Sequence, residues 1–282
     1  MKRGVAGSYE TAYVAGEQIQ AFIPHPLPPK PSLELNDQRQ RLLERATLAL
    51  GRLDSITLLL SDPALFLYAY VRREAVLSSQ IEGTQSSLAQ LLLFELEEAP
   101  GVPLDDVTEV SNYVAALNHG LVRMKEGFPL SNRLIREMHA ILSLYFKQHR
   151  SEYYRLLDLV RTDGDWEAWV DFFLEGVAHT ASNAVETARR LVRLFQQDEQ
   201  KVQTLGRSAS TALRVFRALC ERPLVTLNQI CKHTGLSFPA ASKAMQALEG
   251  LGIVQEITGR RRNRAFAYQQ YLTILSEGTE SL

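Results

Sequence analysis

Residues 78–87 read SSQIEGTQSS and contain a serine and a glutamate four positions apart, Ser78 and Glu82, followed directly by Gly83. On a helix this spacing places both side chains on one face, one turn apart. A glycine after a polar turn is also how an ordinary helix ends. From the spacing alone, the ordinary helix end is the favoured interpretation, and the rest of the chain must decide whether the carboxylate has a function.

A second group of candidate functional residues is a basic cluster near the C-terminus, Arg260, Arg261, Arg262 and Arg264. Residues 206–272 hold ten Lys or Arg residues against three acidic residues, a net charge of +7, whereas the rest of the chain carries -8. Guanidinium groups suit phosphate, and a basic module is the usual electrostatic footprint of a nucleic-acid binder. The cluster therefore favours contact with DNA. The alternative is a module that serves only protein interaction or dimerisation.

The residues around this cluster predict a winged helix. A helix over about 208–221 precedes TLNQICKHTGLSFPAASKAMQALEGLG, which predicts a helix, a tight turn at 234–236 and a second helix capped by Ser237. The runs IVQEI and AFAYQ flank the basic turn TGRRRNR and predict two short strands. A helix-turn-helix followed by a basic hairpin is the plan of a winged helix.

The second helix has two predicted faces. The inward face consists of Ala241, Ala244, Met245, Leu248 and Leu251. The face left for solvent or a groove consists of Ser237, Ala240, Ser242, Lys243 and Gln246. The predicted DNA contacts are Ser237, Ser242, Lys243, Gln246, Arg260, Arg261, Arg262 and Arg264.

The first 205 residues are predicted to be all-helical, because none of their apolar patterns alternates convincingly as a strand. The proline-rich stretch FIPHPLPPKPSLEL leads into the helices. We predict helices at about 42–56, 63–83, 86–97, 106–126, 131–142, 151–160 and 165–200, with Ser131 and Asp165 as N-caps. The predicted fold class is therefore mainly α, with a helical domain over residues 1–205 and a winged helix-turn-helix domain over 206–282.

Composition limits the class of protein further. The apolar runs are far shorter than the roughly 20 residues that cross a bilayer, and the N-terminus lacks an apolar signal segment, so we expect a cytoplasmic protein without membrane contact. Cys220 and Cys231 have no partners at metal-ligand spacing and are expected to be reduced. No metal site is predicted.

Several stretches resemble, in order, the N-terminal half of the Fic family, adenylyltransferases that transfer AMP from ATP to protein hydroxyls. They are HPLPPKPSLEL, LLERATLALGRLD, YVRREAVLSSQIEGTQSSLAQLLLFE, DDVTEVSNYVAALNHGL and SNRLIREMHAIL. SLYFKQHRSEYYRLLDLVRTDGDWEAWVDFFLEGV resembles the segment that follows the catalytic loop of that family, where a C-terminal winged helix is also common. The resemblance covers nearly the whole chain.

In that family Ser-x-x-x-Glu-Gly is the inhibitory motif, whose glutamate pairs with an arginine of the catalytic loop and blocks productive placement of the ATP γ-phosphate. The resemblance implies that Glu82 is the blocking carboxylate, Ser78 its helix neighbour and Gly83 the end of the motif. Because the motif precedes the core in the same chain, it implies the self-inhibited type with an N-terminal inhibitory helix.

The chain departs from the family at its defining element, a histidine followed by Pro-Phe, an acidic or amide residue and Gly-Asn-Gly-Arg. In the family these residues supply the general base, the Mg²⁺ ligand, the phosphate cradle and a neutralising charge. None of the six histidines of this chain begins such a sequence. The break falls between MHAIL (138–142) and SLYFKQHR (143–150), which indicates an internal deletion. No catalytic residue and no cofactor are therefore predicted, although the family uses ATP and Mg²⁺.

Three functions follow as alternatives. The first is a Fic-family protein that has lost catalysis and acts as a DNA-binding or regulatory protein. The second is an adenylyltransferase that acts with a complete partner chain or through an unrecognised site. The third is an antitoxin-like module that offers its inhibitory helix to another Fic protein. The expected partners are DNA, another Fic protein, or a second copy in a homodimer.

Overall fold

The computed structural model describes residues 2–14, 17–57, 63–82, 87–96, 110–111, 114, 149–260 and 263–277. This part of the chain is mainly helical, which confirms the prediction of a mainly α fold. The helices are α1 (Asp37–Thr57), α2 (Pro63–Glu82), α3 (Leu88–Glu95), α4 (Arg150–Asp163), α5 (Trp166–Gln203), α6 (Ala209–Glu221), α7 (Leu227–Thr234), α8 (Phe238–Gly250) and α9 (Gln269–Ser276). The strands are β1 (Gly7–Val14), β2 (Glu17–Pro24), β3 (Leu224–Thr226), β4 (Gln255–Glu256) and β5 (Ala265–Ala267). Within the described ranges, no helix is both long and apolar enough to cross a membrane.

The chain divides into two compact units. The first consists of Met1–Asp54 and Tyr145–Asn183, and the second of Ser55–Leu144 and Ala184–Leu282. The helices predicted at 106–126 and 131–142 lie outside the described residues, except that residues 110, 111 and 114 are helical. The domain boundary near Gly206 stays a prediction.

The first unit begins with a β-hairpin, so the prediction of an all-helical body was wrong for this segment. Strands β1 and β2 pair antiparallel with Tyr9 opposite Phe22, and the two rings meet edge to face at 5.3 Å between centroids. The hairpin escaped the sequence pattern because residues 8–11 of β1, including Tyr9 at 52%, are exposed, so this stretch has no buried face. Period-2 alternation signals a strand only when one face is covered.

Two buried or half-buried ion pairs fix the N-terminal segment and α1 within this unit. The Arg3 guanidinium donates to both carboxylate oxygens of Glu167 at 2.6 and 2.5 Å, and Arg39 pairs with Asp171 at 2.7 Å. The hydrogen bonds from Arg3 hold the pKa of the Glu167 carboxyl well below its usual range. Helix α5 starts as predicted, since the Asp165 Oδ1 atom accepts from the Ala168 N–H at 3.4 Å.

The second unit joins α2, α3 and the end of α5 to the C-terminal elements in one hydrophobic core. Helix α3 begins with a capping box between Ser87 and Gln90, which was not recognised in the sequence. Strands β3, β5 and β4 form an antiparallel sheet in that order. Buried members of the core include Ala69, Leu88, Leu92, Phe216, Leu219, Met245, Leu248, Phe266, Tyr271 and Leu275.

A buried hydrogen bond ties α5 to the residue that follows β5. The Tyr268 hydroxyl donates to Asp198 Oδ2 at 2.6 Å, and Asp198 also pairs with Lys201 at 2.6 Å. Burial, reinforced by the neighbouring carboxylate, raises the pKa of the Tyr268 hydroxyl. The phenol therefore stays neutral and supplies the proton that the buried carboxylate needs as a partner.

Candidate nucleic-acid interface and the helix that carries Ser78 and Glu82

Helices α7 and α8 are connected by a tight turn that the sequence specifies closely. A capping box between Thr226 and Gln229 starts α7, and Gly235 ends it in the left-handed conformation with φ 68°. The side chain of Arg214 on α6 donates to the Thr234 carbonyl at this turn. The turn at 234–236 therefore lies where the sequence predicted it, and the capping box, the glycine and the arginine together fix its geometry.

Helix α8 buries one face and leaves another exposed. Ser237 has the extended backbone of an N-cap, although its side chain makes no capping hydrogen bond, and a proline lies in the first turn. Lys243, Gln246 and Ser237 are exposed, and Ser242 is half-buried. The side chains that face the core are Ala241, Ala244, Met245 and Leu248, with Leu251 partly buried beside them.

Strands β4 and β5 form the hairpin that carries the basic turn. Gln255 pairs with Ala267 and Glu256 with Phe266, and the Ile257 N–H donates to the Ala265 carbonyl at 3.0 Å. Arg260 is exposed, and the Arg264 guanidinium lies over the Phe266 ring at 5.5 Å from its centroid. Arg261 and Arg262, which the sequence analysis also predicted as DNA contacts, lie outside the described residues.

Glu256 holds the start of the basic turn. Its carboxylate accepts from the backbone N–H groups of Thr258 at 2.8 Å and Gly259 at 3.0 Å, and from the Thr258 hydroxyl. Partial burial tends to raise the pKa of Glu256, but these hydrogen bonds outweigh it, and the pKa lies below its ordinary value. The carboxylate is ionised at neutral pH, and it braces the turn that presents Arg260.

The serine and glutamate of SSQIEG, Ser78 and Glu82, lie at the end of α2. Ser78 and Glu82 lie in the helix one turn apart, and Glu82 is its last residue. Gly83 lies outside the described residues. The structure therefore places the Ser78 and Glu82 backbones at a helix end, as the spacing predicts.

Helix α2 is fixed to α3 and to the C-terminal end of α9 by two arginines. Arg72 pairs with Glu95 at 2.7 Å and stacks over the Tyr68 ring at 3.5 Å from its centroid. Arg73 Nη2 donates to the Glu277 carbonyl at 2.8 Å, and the Glu277 carboxylate pairs with Arg190 of α5 at 2.5 Å. The helix that carries Ser78 and Glu82 is thus anchored in the same core as α8.

Sequence reasoning missed the residues that shape these two regions. Phe238 is an exposed aromatic at the first position of α8, and it is absent from the contacts predicted from the sequence. Glu256 could have been found from the acid two positions before Thr258-Gly259, since short acidic side chains and glycine mark turns. No role was predicted from the sequence for Arg72 and Arg73 of α2, which are both buried.

Comparison with known protein families gives one informative match for this region. The family model described as Fic/DOC family N-terminal matches residues 40–122. The matched segment includes α2 and the Ser78, Glu82 and Gly83 motif. The match agrees with the resemblance seen in the sequence over the same stretch.

Proposed function

We propose that this chain, which the match over residues 40–122 supports as a member of the Fic family, is a DNA-binding regulatory protein that has lost AMP transfer. The proposed loss rests on the sequence, in which no histidine precedes Pro-Phe and no Gly-Asn-Gly-Arg occurs. Without these residues the chain supplies no general base, metal ligand or phosphate cradle of the family type. Binding of ATP and Mg²⁺ is therefore not expected.

The observation that carries DNA binding is the order and pairing of the C-terminal elements. The chain runs α6, β3, α7, α8, β4 and β5, and β5 lies between β3 and β4 in the sheet. This order and pairing support a winged helix, in which the second helix of the helix-turn-helix would enter the major groove and the hairpin would contact the DNA backbone. Lys243 and Gln246 would face base edges, and the wing arginines would reach phosphates or the minor groove.

Charge supports the same function. The net charge of +7 over residues 206–272 contrasts with -8 elsewhere. Each phosphate neutralised by Lys or Arg releases condensed counterions, so affinity falls as salt rises. Glu256 lowers the local positive charge. Its carboxylate nevertheless stabilises the turn, because it accepts hydrogen bonds from the backbone N–H groups of Thr258 and Gly259.

Fluorescence-anisotropy titration of the full chain against a labelled random-sequence duplex at two salt concentrations tests the proposal. We expect salt-dependent binding, and replacing Arg260, Arg261 and Arg262 by alanine should reduce the slope of log K against log salt by about 0.9 for each phosphate that these side chains neutralise. The matched control replaces the exposed Arg41, Arg45 and Arg52 of α1, which removes the same charge elsewhere. Weak curves that neither salt nor the wing variant changes would reject DNA binding.

Oligomeric state decides the form of the DNA site. If two copies associate, their α8 helices should read two half-sites about 34 Å apart, one turn of DNA, and the preferred site should be a pseudo-palindrome. Selection from a random pool, combined with sedimentation of the free protein, measures both. A dimer that selects single, non-repeated sites would contradict this geometry.

A second candidate function is inhibition of another Fic protein in trans. The observation that favours it is the position of Glu82 as the last residue of α2. Adding the chain to a complete Fic enzyme should lower AMP transfer, and Glu82→Gly should abolish the effect. Equal inhibition by both versions would reject this function. A rise in transfer would instead favour the remaining alternative, an adenylyltransferase that works with a complete partner chain.

A further inference from the structure

We infer that Phe238 contacts the C5-methyl group of a pyrimidine in the major groove, so that a thymine or a 5-methylcytosine is part of the DNA site. This inference rests on the proposed DNA binding and adds a specificity-determining residue to it. The polar residues Ser242, Lys243 and Gln246 of α8 can read hydrogen-bonding edges, but none of them offers a large apolar surface.

The starting observation is the exposure of Phe238. Its side chain is 54% exposed, and in the described part of the second unit the other exposed large apolar side chain is Ile257, at 38%. Leu236, two residues earlier, packs against the core. Phe238 therefore contributes less to the hydrophobic core than Leu236 does.

The position of Phe238 on α8 indicates which side of the helix the exposed ring belongs to. Phe238 is the first residue of α8, and residues four apart along a helix form one row. The row that starts at Phe238 continues through the half-buried Ser242 to the exposed Gln246, along the edge of the face that buries Ala241 and Met245. In helix-turn-helix proteins the N-terminal residues of this helix contact base edges. Phe238 thus opens the row that would face the bases.

The chemistry of the major groove supplies an apolar partner for this ring. Thymine presents a C5-methyl group there, and phenylalanine is among the side chains that contact it. Uracil and cytosine have hydrogen at the same position, and 5-methylcytosine restores the methyl group. Gln246 in the same row has the amide that pairs with adenine N6 and N7, so the two residues would read different bases.

The experiment uses the full chain and a duplex selected by it from a random pool. Each thymine of the selected duplex is replaced in turn by uracil, which removes one methyl group and leaves base pairing intact. We expect one replacement to weaken binding about fourfold, the equivalent of about 0.8 kcal/mol for one methyl group taken from an apolar environment. The same uracil replacement should leave the affinity of the Phe238→Ala variant for the duplex unchanged.

A matched control and a second duplex complete the test. Ile257→Ala removes the other exposed large apolar side chain in the described part of the unit and should keep the full uracil penalty. A duplex with cytosine at the sensitive position should bind more tightly when that cytosine is methylated, and Phe238→Ala should remove this gain too. Because Phe238 is exposed, the variant should keep the thermal stability of the wild type.

The outcomes separate this inference from the function on which it rests. If the wild type binds no duplex at any salt, DNA binding itself fails. If it binds but every uracil replacement is silent, or if Phe238→Ala keeps the uracil penalty, DNA binding stands and the methyl contact is rejected. A uracil penalty that disappears only in Phe238→Ala supports the contact.

Discussion

Glu74 shows how a single carboxyl group can make stability depend on pH. It lies buried in α2 beside Arg73, and its Oε2 atom has no hydrogen-bond partner among the residues that the structure describes. Burial raises the pKa of Glu74 well above its ordinary value, and the charge of Arg73 only partly opposes this. The folded protein therefore prefers the neutral acid, whereas the unfolded chain ionises near pH 4.5.

We predict that Glu74→Gln stabilises the protein at neutral pH. A raised pKa in the folded state favours folding fully below about pH 4.5, and this contribution is lost as pH rises towards the folded pKa. The amide of glutamine is neutral at every pH, so the variant does not lose this contribution to stability. Urea unfolding at pH 4 and pH 8 should give equal free energies for the two proteins at the lower pH and a higher value for the variant at the upper pH. Glu95→Gln, which removes the partner of Arg72, should instead destabilise.

Glu82 supports a different prediction, about chemistry. Glu82→Gly, the change expected to release inhibition in a self-inhibited Fic protein, should produce no AMP transfer here. The chain lacks the histidine and the glycine-rich loop, so removing the blocking carboxylate exposes no catalytic group of the family type. Incubation with labelled ATP and Mg²⁺ measures this directly. Label on the chain itself or on any added protein would contradict the proposed loss of catalysis.

Elements differed in how well the sequence specified them. The turn between α7 and α8 was predicted because Gly235 and the capping residues act locally. Strand β3 was missed because it has three residues, and its pairing with β5 joins positions about 40 residues apart, such as Val225 and Phe266. The anchoring of α2 by Arg73 could not be predicted either, since nothing in the local sequence points to Glu277. Local sequence signals predict helices and turns, whereas pairing between residues far apart in the chain leaves no local pattern to predict it from.

Helix α8 and the hairpin should contribute to DNA binding in different ways. Lys243→Ala should lower affinity and also relax sequence preference at one position, with a cost of about 1–3 kcal/mol if the ammonium contacts a guanine edge. Arg260→Ala should weaken binding to all DNA sequences by the same factor. Titrations with the selected duplex and with a scrambled one distinguish the two effects. Arg45→Ala on α1 also removes one exposed positive charge and is a control outside the module, and a loss equal to that of Lys243→Ala would argue against base contact.

At the scale of the whole molecule, the C-terminal module depends on residues far earlier in the chain. Ala69, Leu88 and Leu92 belong to the same hydrophobic cluster as Tyr271 and Leu275 of α9. Cutting the chain at the predicted boundary near Gly206 would expose one side of that cluster to water. The core of the C-terminal module is therefore completed by α2 and α3.

We predict that residues 206–282 alone are less stable than the same residues in the full chain. Each kcal/mol of packing energy removed lowers the melting temperature of a domain of this size by about 4–8 °C. Circular dichroism of the fragment measures the midpoint, and replacing Leu272 or Leu275 by serine shows whether exposed apolar residues cause aggregation. A fragment with an independent, cooperative melt at the temperature of the full chain would show that α2 and α3 contribute little.

The hydrogen bond from Arg73 to the Glu277 carbonyl has a further consequence through thermodynamic linkage. A ligand that engages the end of α2 and shifts that helix also changes the free energy of the core that supports α8. Linkage is reciprocal, so a ligand at Glu82 that changes DNA affinity by some factor must have its own affinity changed by DNA by the same factor. If the chain binds both a protein partner at the end of α2 and DNA at α8, the 20-residue helix α2 would couple the two binding equilibria.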